Sequence, residues 1–433
     1  MKHKIQEIIE NRRASNIKGV ISICTASPLV IEASMELYKD KLSPLIIEAT
    51  ANQVNQEGGY TGMNPEDFRN FILGIAKKND FPQGRIILGG DHLGPLTWVK
   101  LPEEEAMIKA EILVSQYVQA GFSKIHIDTS MRLASDDISK PLETIVIAQR
   151  GVRLMKVAEQ TFYEYLKENP FAIEPVYVIG SEVPIPGGSQ DDLELKVTDP
   201  KDFIETVQLY RRIMNEAGLE KVWSRIIGVV VQPGVEFGDE SVRNYDSLAV
   251  QTLSQSLNEF NPIVFEGHST DYQISKSLEK MVDDGIAILK VGPALTFALR
   301  EGLFALSKIE DELIQNPKFR SNLIMTLDKV MTNNPSYWIK HYHGSEEYKI
   351  LARKYSFSDR SRYYMLGQDV VSSIEKLFSN TREIYLPLLH QFMPIQYQKI
   401  RSAELLLEPK SLVKDCVKEI LKDYLDACER KEV

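Results

Sequence analysis

Short runs of aliphatic and β-branched residues recur along the chain, each followed by a longer stretch with helical spacing. The runs are Val20–Cys24, Leu45–Glu48, Ile86–Gly89, Lys124–Asp128, Val176–Gly180, Ile226–Val231, Ile263–Glu266 and Ile286–Lys290. Near-continuous apolar character marks strands buried on both faces of a parallel sheet. The stretch Pro102–Gly121 opens on Pro and three Glu and stops at Gly, as helix ends prefer. Eight such strands alternating with helices predict a TIM (β/α)8 barrel of the α/β class. A doubly wound open sheet is the alternative, but it normally has fewer strands, and no GxGxxG follows the first run.

Past Arg300 the pattern turns helical, over Leu303–Gln315, Lys318–Met331, Ser372–Ser379 and Leu412–Cys428, with Tyr337, Trp338, Tyr342, Tyr355, Tyr363 and Tyr364 between them. The expected organisation is a barrel over 1–300 carrying the site, and a C-terminal helical extension over 301–433 packed on the barrel or at a subunit interface. Pro184, Pro186, Gly187 and Gly188 mark a long loop after the fifth run, a candidate lid.

Polar and ionisable residues gather after nearly every run, where the C-terminal ends of barrel strands converge on one face. His92 and His268 stand just past strands beside glycines, and Glu182 is similarly placed. Two imidazoles and a carboxylate hold a divalent metal with open positions, the pattern of a catalytic site. Taken singly, each His also reads as a hydrogen-bonded loop residue. His126 alternates with Ile125 and Ile127 and is expected to pack or to support the site from outside the ligand set. Asp91, beside His92, is placed to act as general base, and Asp128 to orient a ligand or bind substrate; capping a turn is the plainer role for both. Glu182 counts among the catalytic carboxylates as well as the ligands. The segments after strands seven and eight are the usual phosphate site of a barrel. There Ser269, Thr270, Lys290, Gly292 and Thr296 are expected to bind substrate, with Arg300 a further charge or a solvated helix residue. The amide-rich Asn52, Gln53, Asn55 and Gln56 suit sugar hydroxyls or a hydrogen-bonded loop, and Asn52 and Gln53 are taken as substrate-binding.

Composition removes other classes. The 433 residues are 43% hydrophobic with a net charge of −10, which argues against nucleic acid as a partner. No run of about 18 apolar residues suggests a membrane span. The start MKHKIQEIIENRRAS is charged with helical spacing rather than signal-like, and three cysteines suit a reducing compartment, so a cytoplasmic location is expected. Neither GxSxG nor GxxxxGK[ST] is present, so a hydrolase elbow and an ATP-dependent kinase lack support. Cys24 is expected to be buried rather than nucleophilic.

NQVNQEGGYTGM (52–63), ILGGDHLGP (87–95), GFSKIHIDTSM (121–131), GSEVPIPGG (180–188), VVVQPGVEF (229–237), GHSTDYQ (267–273), ILKVGPALTFALRE (288–301) and YSFSDRSRYY (355–364) resemble the GatZ/KbaZ family over essentially the whole chain. The resemblance implies a barrel related to class II sugar-bisphosphate aldolases. It implies a subunit of tagatose-1,6-bisphosphate aldolase, usually described as non-catalytic or stabilising, that works with a separate catalytic subunit. Some members are described as C4 epimerases of ketohexoses or their 6-phosphates. An older description of the family as tagatose 6-phosphate kinases finds no nucleotide motif here. The Asp-His pair of class II aldolases, acid/base and zinc ligand, matches Asp91 and His92, and a later zinc histidine matches His268. Glu182 stands where those enzymes carry a third His, a departure that bears on which metal binds. Zinc is expected, with manganese or cobalt as alternatives.

Two functions follow. One is a metal enzyme of ketohexose phosphates, cleaving C3–C4 as an aldolase or re-adding the aldehyde as an epimerase. The other is a partner subunit supporting a catalytic class II aldolase, with the helical tail as interface; a homo-oligomer is also expected. An intact metal triad, base and phosphate pocket favours chemistry over a purely structural role.

Overall fold

The computed structural model describes residues 2–180 and 196–430. Eight parallel strands close a TIM (β/α)8 barrel: β1 (Val20–Cys24), β2 (Leu45–Thr50), β3 (Ile86–Leu93), β4 (Lys124–Ile127), β5 (Val176–Ile179), β6 (Ile226–Val231), β7 (Val264–Gly267) and β8 (Ile286–Val291). β1 seals the ring, with Val20 opposite Ile288 on β8 and Ser22 opposite Ile46 on β2. All eight expected runs are strands. The ends differ: β2 runs on through Thr50 and β3 through Leu93, because their backbones stay paired past the last apolar residue, with Thr50 opposite Asp91.

Alternation along these strands sets the layers of the interior. Val20, Ile46, Val176, Val178, Val230, Val264 and Ile288 form one apolar cluster at the N-terminal end. A helix at Lys4–Asn11 packs there: Ile5, Ile8 and Ile9, at helical spacing, belong to the same cluster. The intervening strand residues, such as Ile21, Ile23, Leu45 and Ile47, belong instead to the large core shared with the surrounding helices. One layer further up, the interior is ionic. Lys124, with no exposed surface, lies 2.7 Å from Glu48 and 2.6 Å from Glu266. Lys290 pairs with Glu48 and lies 2.8 Å from Asp91. Gly89 makes this possible: a Cβ there would stand 2.6 Å from the Glu48 side chain.

A helix at Pro293–Leu313 runs straight through position 300. Beyond it, Lys318–Met331 is not one helix. Asn322 adopts a left-handed conformation (φ 55°), and Ser321 is bound through its N–H and hydroxyl by the Glu310 carboxylate, so a short turn at Pro317–Phe319 gives way to a helix at Leu323–Asn333. The final helix, Pro409–Cys428, packs on Pro28–Tyr38, Ser275–Asp283 and Pro293–Leu313. Its Leu412, Val413 and Leu421 share one core with Val30 and Leu303 of the barrel helices. No described helix is long and apolar enough to cross a membrane.

Candidate active site

Asp91 and His92 are consecutive, so in a regular strand their side chains would point to opposite faces. The register against β4 shifts between Gly90 and Leu93, and His92 sits in the left-handed region (φ 49°). A bulge re-aims side chains, and strain of this kind persists where packing over-determines it. Both side chains thereby reach the mouth of the barrel. Gly94 lets the ends of β3 and β4 meet: a Cβ there would stand 1.7 Å from the Asp128 carbonyl.

The rings of His92, His126 and His268 converge, with centroids 4.8, 4.8 and 5.3 Å apart. Their nitrogens and an Asp91 oxygen lie within 4.8 Å of one another, all buried. Each ring has one nitrogen pinned outside the cluster. His92 Nδ1 donates to Asp128 Oδ2 at 2.7 Å, and Asp128 Oδ1 accepts from the Ser130 N–H and hydroxyl. His268 Nε2 donates to Glu266 at 3.0 Å. His126 Nε2 donates to the Gly180 carbonyl at 3.1 Å. These partners orient the rings and leave one nitrogen of each facing inward.

His126 supplies a test of what the cluster is built to hold. With its proton on Nε2, the neutral ring carries a lone pair on Nδ1, which already accepts from the His92 N–H at 3.2 Å and faces Asp91 Oδ1 at 2.8 Å. A lone pair against a carboxylate oxygen at that distance is repulsive unless a proton or a metal cation lies between them. Three imidazole nitrogens and one carboxylate oxygen suit zinc, manganese or cobalt, and not an all-oxygen site for calcium or magnesium. The residues fit a divalent metal.

The charges agree. Burial pushes His268 down to about 4, against the pull of Glu266, so it is neutral, the ligating form. Burial lowers His92 too, but Asp91 and Asp128 outweigh it and raise it above its ordinary value. Burial raises Asp91, yet Lys290, His92 and the His126 contact together hold its carboxyl well below the usual range. Lys290 is pulled down by burial and pushed far up by its carboxylate neighbours Asp91 and Glu48, so it stays an ammonium. Burial keeps the Cys24 thiol protonated, 3.7 Å from Glu48.

The cluster opens into a cleft of about 120 Å³. Of the residues taken as substrate-binding, Asn52, Gln53, Ser269, Lys290 and Gly292 line it. Asn55 and Gln56 do not; they brace their own loop, Asn55 through Ala51, Glu57 and Gly59, and Gln56 through the Lys109 carbonyl. Thr270 lies behind the wall, giving its hydroxyl to the Lys290 carbonyl, while Tyr424 binds the Thr270 carbonyl. Thr296 faces a neighbouring cavity and is bound to Asp359, as is Arg300. The backbone N–H groups that could cradle an anion after β8 are not free: Gly292 and Ala294 both donate to Asp271 Oδ1, at 3.0 and 2.8 Å. Glu182 and the candidate lid, Pro184 to Gly188, lie outside the described residues. Sequence reasoning missed Glu48, Glu266 and Lys124, charged residues inside apolar runs, and set His126 aside. It also left out Tyr60, Asp271, Arg362 and Tyr363, which line the cleft.

Residues 5–429 match the family described as D-tagatose-1,6-bisphosphate aldolase subunit GatZ/KbaZ-like. The chain belongs to the GatZ/KbaZ-like family. Among solved structures similar to this GatZ/KbaZ-like chain is that of a probable tagatose 6 phosphate kinase from Sinorhizobium meliloti 1021, 44% identical, covering 95% of this chain and 100% of its own, with a TM-score of 0.86. The YdjI aldolase of Escherichia coli K12 is 12% identical over 72% of this chain and 88% of its own, with a TM-score of 0.42. The fructose-bisphosphate aldolase of Campylobacter jejuni is 15% identical over 93% and 94%, with a TM-score of 0.42.

Proposed function

We propose that this chain is a divalent-metal-dependent, class II aldolase-like protein of ketohexose phosphate metabolism, a component of tagatose-1,6-bisphosphate aldolase with its own reaction centre. The observation that carries the reading is the cluster of Asp91, His92, His126 and His268, each imidazole pinned by an outer partner. His92 and His268 hold the metal, with zinc the first choice; His126 completes the set, and Glu182 is the further ligand expected from the sequence. A divalent ion bound there would polarise the C2 carbonyl of a ketose and stabilise the enolate that forms as C3–C4 breaks.

The chain's residues supply the rest. Asp91, ionised at neutral pH, takes the proton of the C4 hydroxyl. The C3–C4 electron pair passes to C3, leaving a C2–C3 enolate and an aldehyde at C4; protonation at C3 completes the cleavage. Asp128 holds His92 in orientation. Lys290, beside Asp91, balances charge as the enolate develops. Asn52 and Gln53 meet sugar hydroxyls at the rim. A second outcome, C4 epimerisation by re-addition to the other face of the aldehyde, is favoured by the roof of the cleft. Tyr363 stacks on Tyr337 (centroids 4.9 Å apart) and meets Tyr60 edge-on at 4.6 Å, an arrangement suited to retaining an aldehyde.

The test uses the purified chain with Zn²⁺, Mn²⁺ or Co²⁺, given fructose 6-phosphate, free fructose or tagatose 1,6-bisphosphate, with His92→Ala and Asp91→Asn alongside. Triose phosphates, lost in both variants, establish an aldolase; tagatose forms establish an epimerase. Silence with every metal, and activity only when a class II aldolase subunit is added, would sink independent catalysis and leave the supporting role.

A further inference from the structure

We infer that Arg362, carried to the barrel mouth by the C-terminal extension, is the anion receptor of this site, taking the phosphate of a ketohexose phosphate while Asp271 bars that phosphate from the N-terminus of helix Pro293–Leu313. The inference rests on the ketohexose reading above and deepens it. Arg362 lines the cleft that holds His92, His268 and Asp91, so one substrate reaches both. It also lines the adjoining cavity, where the hydroxyl-bearing Thr25, Ser27 and Thr296 stand.

Arg362 makes no ion pair among the described residues. Its Nη1 donates to the Ser358 carbonyl and, at 3.0 Å, to the Asp359 carbonyl, and its Nη2 donates to the Tyr363 hydroxyl at 3.0 Å. All three acceptors are neutral. The nearby carboxylates are committed elsewhere. Asp359 binds Arg300, Thr296 and Ser361, and Asp271 Oδ1 binds the Gly292 and Ala294 N–H groups. A guanidinium has five N–H donors in a fixed fork. Among the described residues, the three acceptors leave Nε–H and one Nη2–H, the side-on edge, without a protein partner. That edge matches two oxygens of a phosphate. Ring stacking holds the fork in place, with Cζ 4.5 Å from the Tyr363 centroid and Tyr363 stacked on Tyr337.

Asp271 acts from the other side of the cleft. A barrel that bound phosphate after β8 would keep those N–H groups free. Here a carboxylate takes two of them, so a phosphate brought there meets a negative charge. Among the described residues, Arg362 is the cleft-lining cation without a carboxylate ion pair, since Lys290 is paired with Glu48 and Asp91.

Calorimetric titration of the purified full chain with fructose 6-phosphate, free fructose and inorganic phosphate tests this, using wild type, Arg362→Gln and Arg362→Lys. Arg362→Gln is expected to weaken fructose 6-phosphate and inorganic phosphate by about tenfold or more, the scale of a lost charged hydrogen bond, and to leave fructose within about twofold. Arg362→Lys keeps the charge but not the fork and should fall between. If Arg362→Gln does not fold, a loss confined to the phosphorylated ligands in Arg362→Lys supports the same conclusion. Equal losses for fructose and its phosphate, or no loss, overturn it. Arg362-dependent binding of inorganic phosphate without binding of either sugar refutes the ketohexose reading and leaves the receptor standing. Turnover of fructose 6-phosphate with unchanged affinity in Arg362→Gln refutes the receptor and leaves that reading standing.

Discussion

Replacing Lys124 with Met tests whether the middle of the barrel is ionic as described. Lys124 is fully buried, 2.7 Å from Glu48 and 2.6 Å from Glu266. Its layer holds three carboxylates, Glu48, Asp91 and Glu266, and two ammonium groups, Lys124 and Lys290. Methionine fills a similar volume, so the loss is electrostatic: one cation remains against three anions. Removing one partner of a buried pair costs about 3–5 kcal/mol, because the other charge is left uncompensated. Burial raises Glu266, but Lys124, Lys290 and His268 outweigh it and hold its carboxyl well below the usual range. A depressed acid adds stability above its unfolded pKa, and that stability is lost as pH falls through the folded value. In Lys124→Met the largest depressing charge is gone and Glu266 moves upward. The variant therefore recovers on acidification while wild type does not gain, and the gap narrows from pH 8 to pH 5. Urea unfolding at several pH values, followed by far-UV circular dichroism, reads this out. Adding Glu266→Gln should restore part of the loss, since it removes the stranded charge. A cost under about 1 kcal/mol at pH 8, or a gap that widens on acidification, would refute the ionic layer.

Three other outcomes are expected. Asp128→Asn, which leaves His92 in place but weakens its anchor, should lower zinc affinity by about 10–100-fold in competition with a chromophoric chelator, while His268→Ala abolishes stoichiometric binding. Gly94→Ala should destabilise by more than about 4 kcal/mol or prevent folding, since its Cβ would meet backbone 1.7 Å away; a well-folded variant with an unchanged melting temperature would contradict the β3–β4 approach. Burial pushes Asp271 up to about 6, against its two backbone donors. An acid raised on folding favours the folded state at low pH, and that contribution is lost as pH rises through the folded value. Asp271→Asn, whose amide oxygen still accepts from Gly292 and Ala294, should therefore stabilise the chain at pH 8 by roughly 1–3 kcal/mol, with the gain fading below pH 6.

Much of the architecture was legible in the sequence alone. Each barrel strand begins within a residue of an apolar run, because a strand buried on both faces must be apolar almost throughout. The polar residues after the runs were legible as a mouth, and Asp91, His92, Asp128, His268 and Lys290 do meet there, because the (β/α)8 pattern sends every strand's C-terminal end to one face. The break at Asn322 was not legible, since it depends on Glu310 capping Ser321 from the preceding helix.

What the sequence by itself determined is the order and number of the strands and which loops share the active face, because apolar periodicity and strand direction are local properties. What only the tertiary structure decided is how side chains meet inside. The interior charges Glu48, Lys124 and Glu266 looked like interruptions of apolar runs until barrel closure set them opposite one another. His126, read as a strand residue between two isoleucines, faces the cluster because alternation turns it inward. Asp91 and His92 share a face through a bulge that no residue pattern announces. Arg362 and Tyr363 reach the cleft because the extension folds back over the barrel. Those outcomes are set by ring closure and by contacts between residues far apart in the chain, which one-dimensional spacing does not encode.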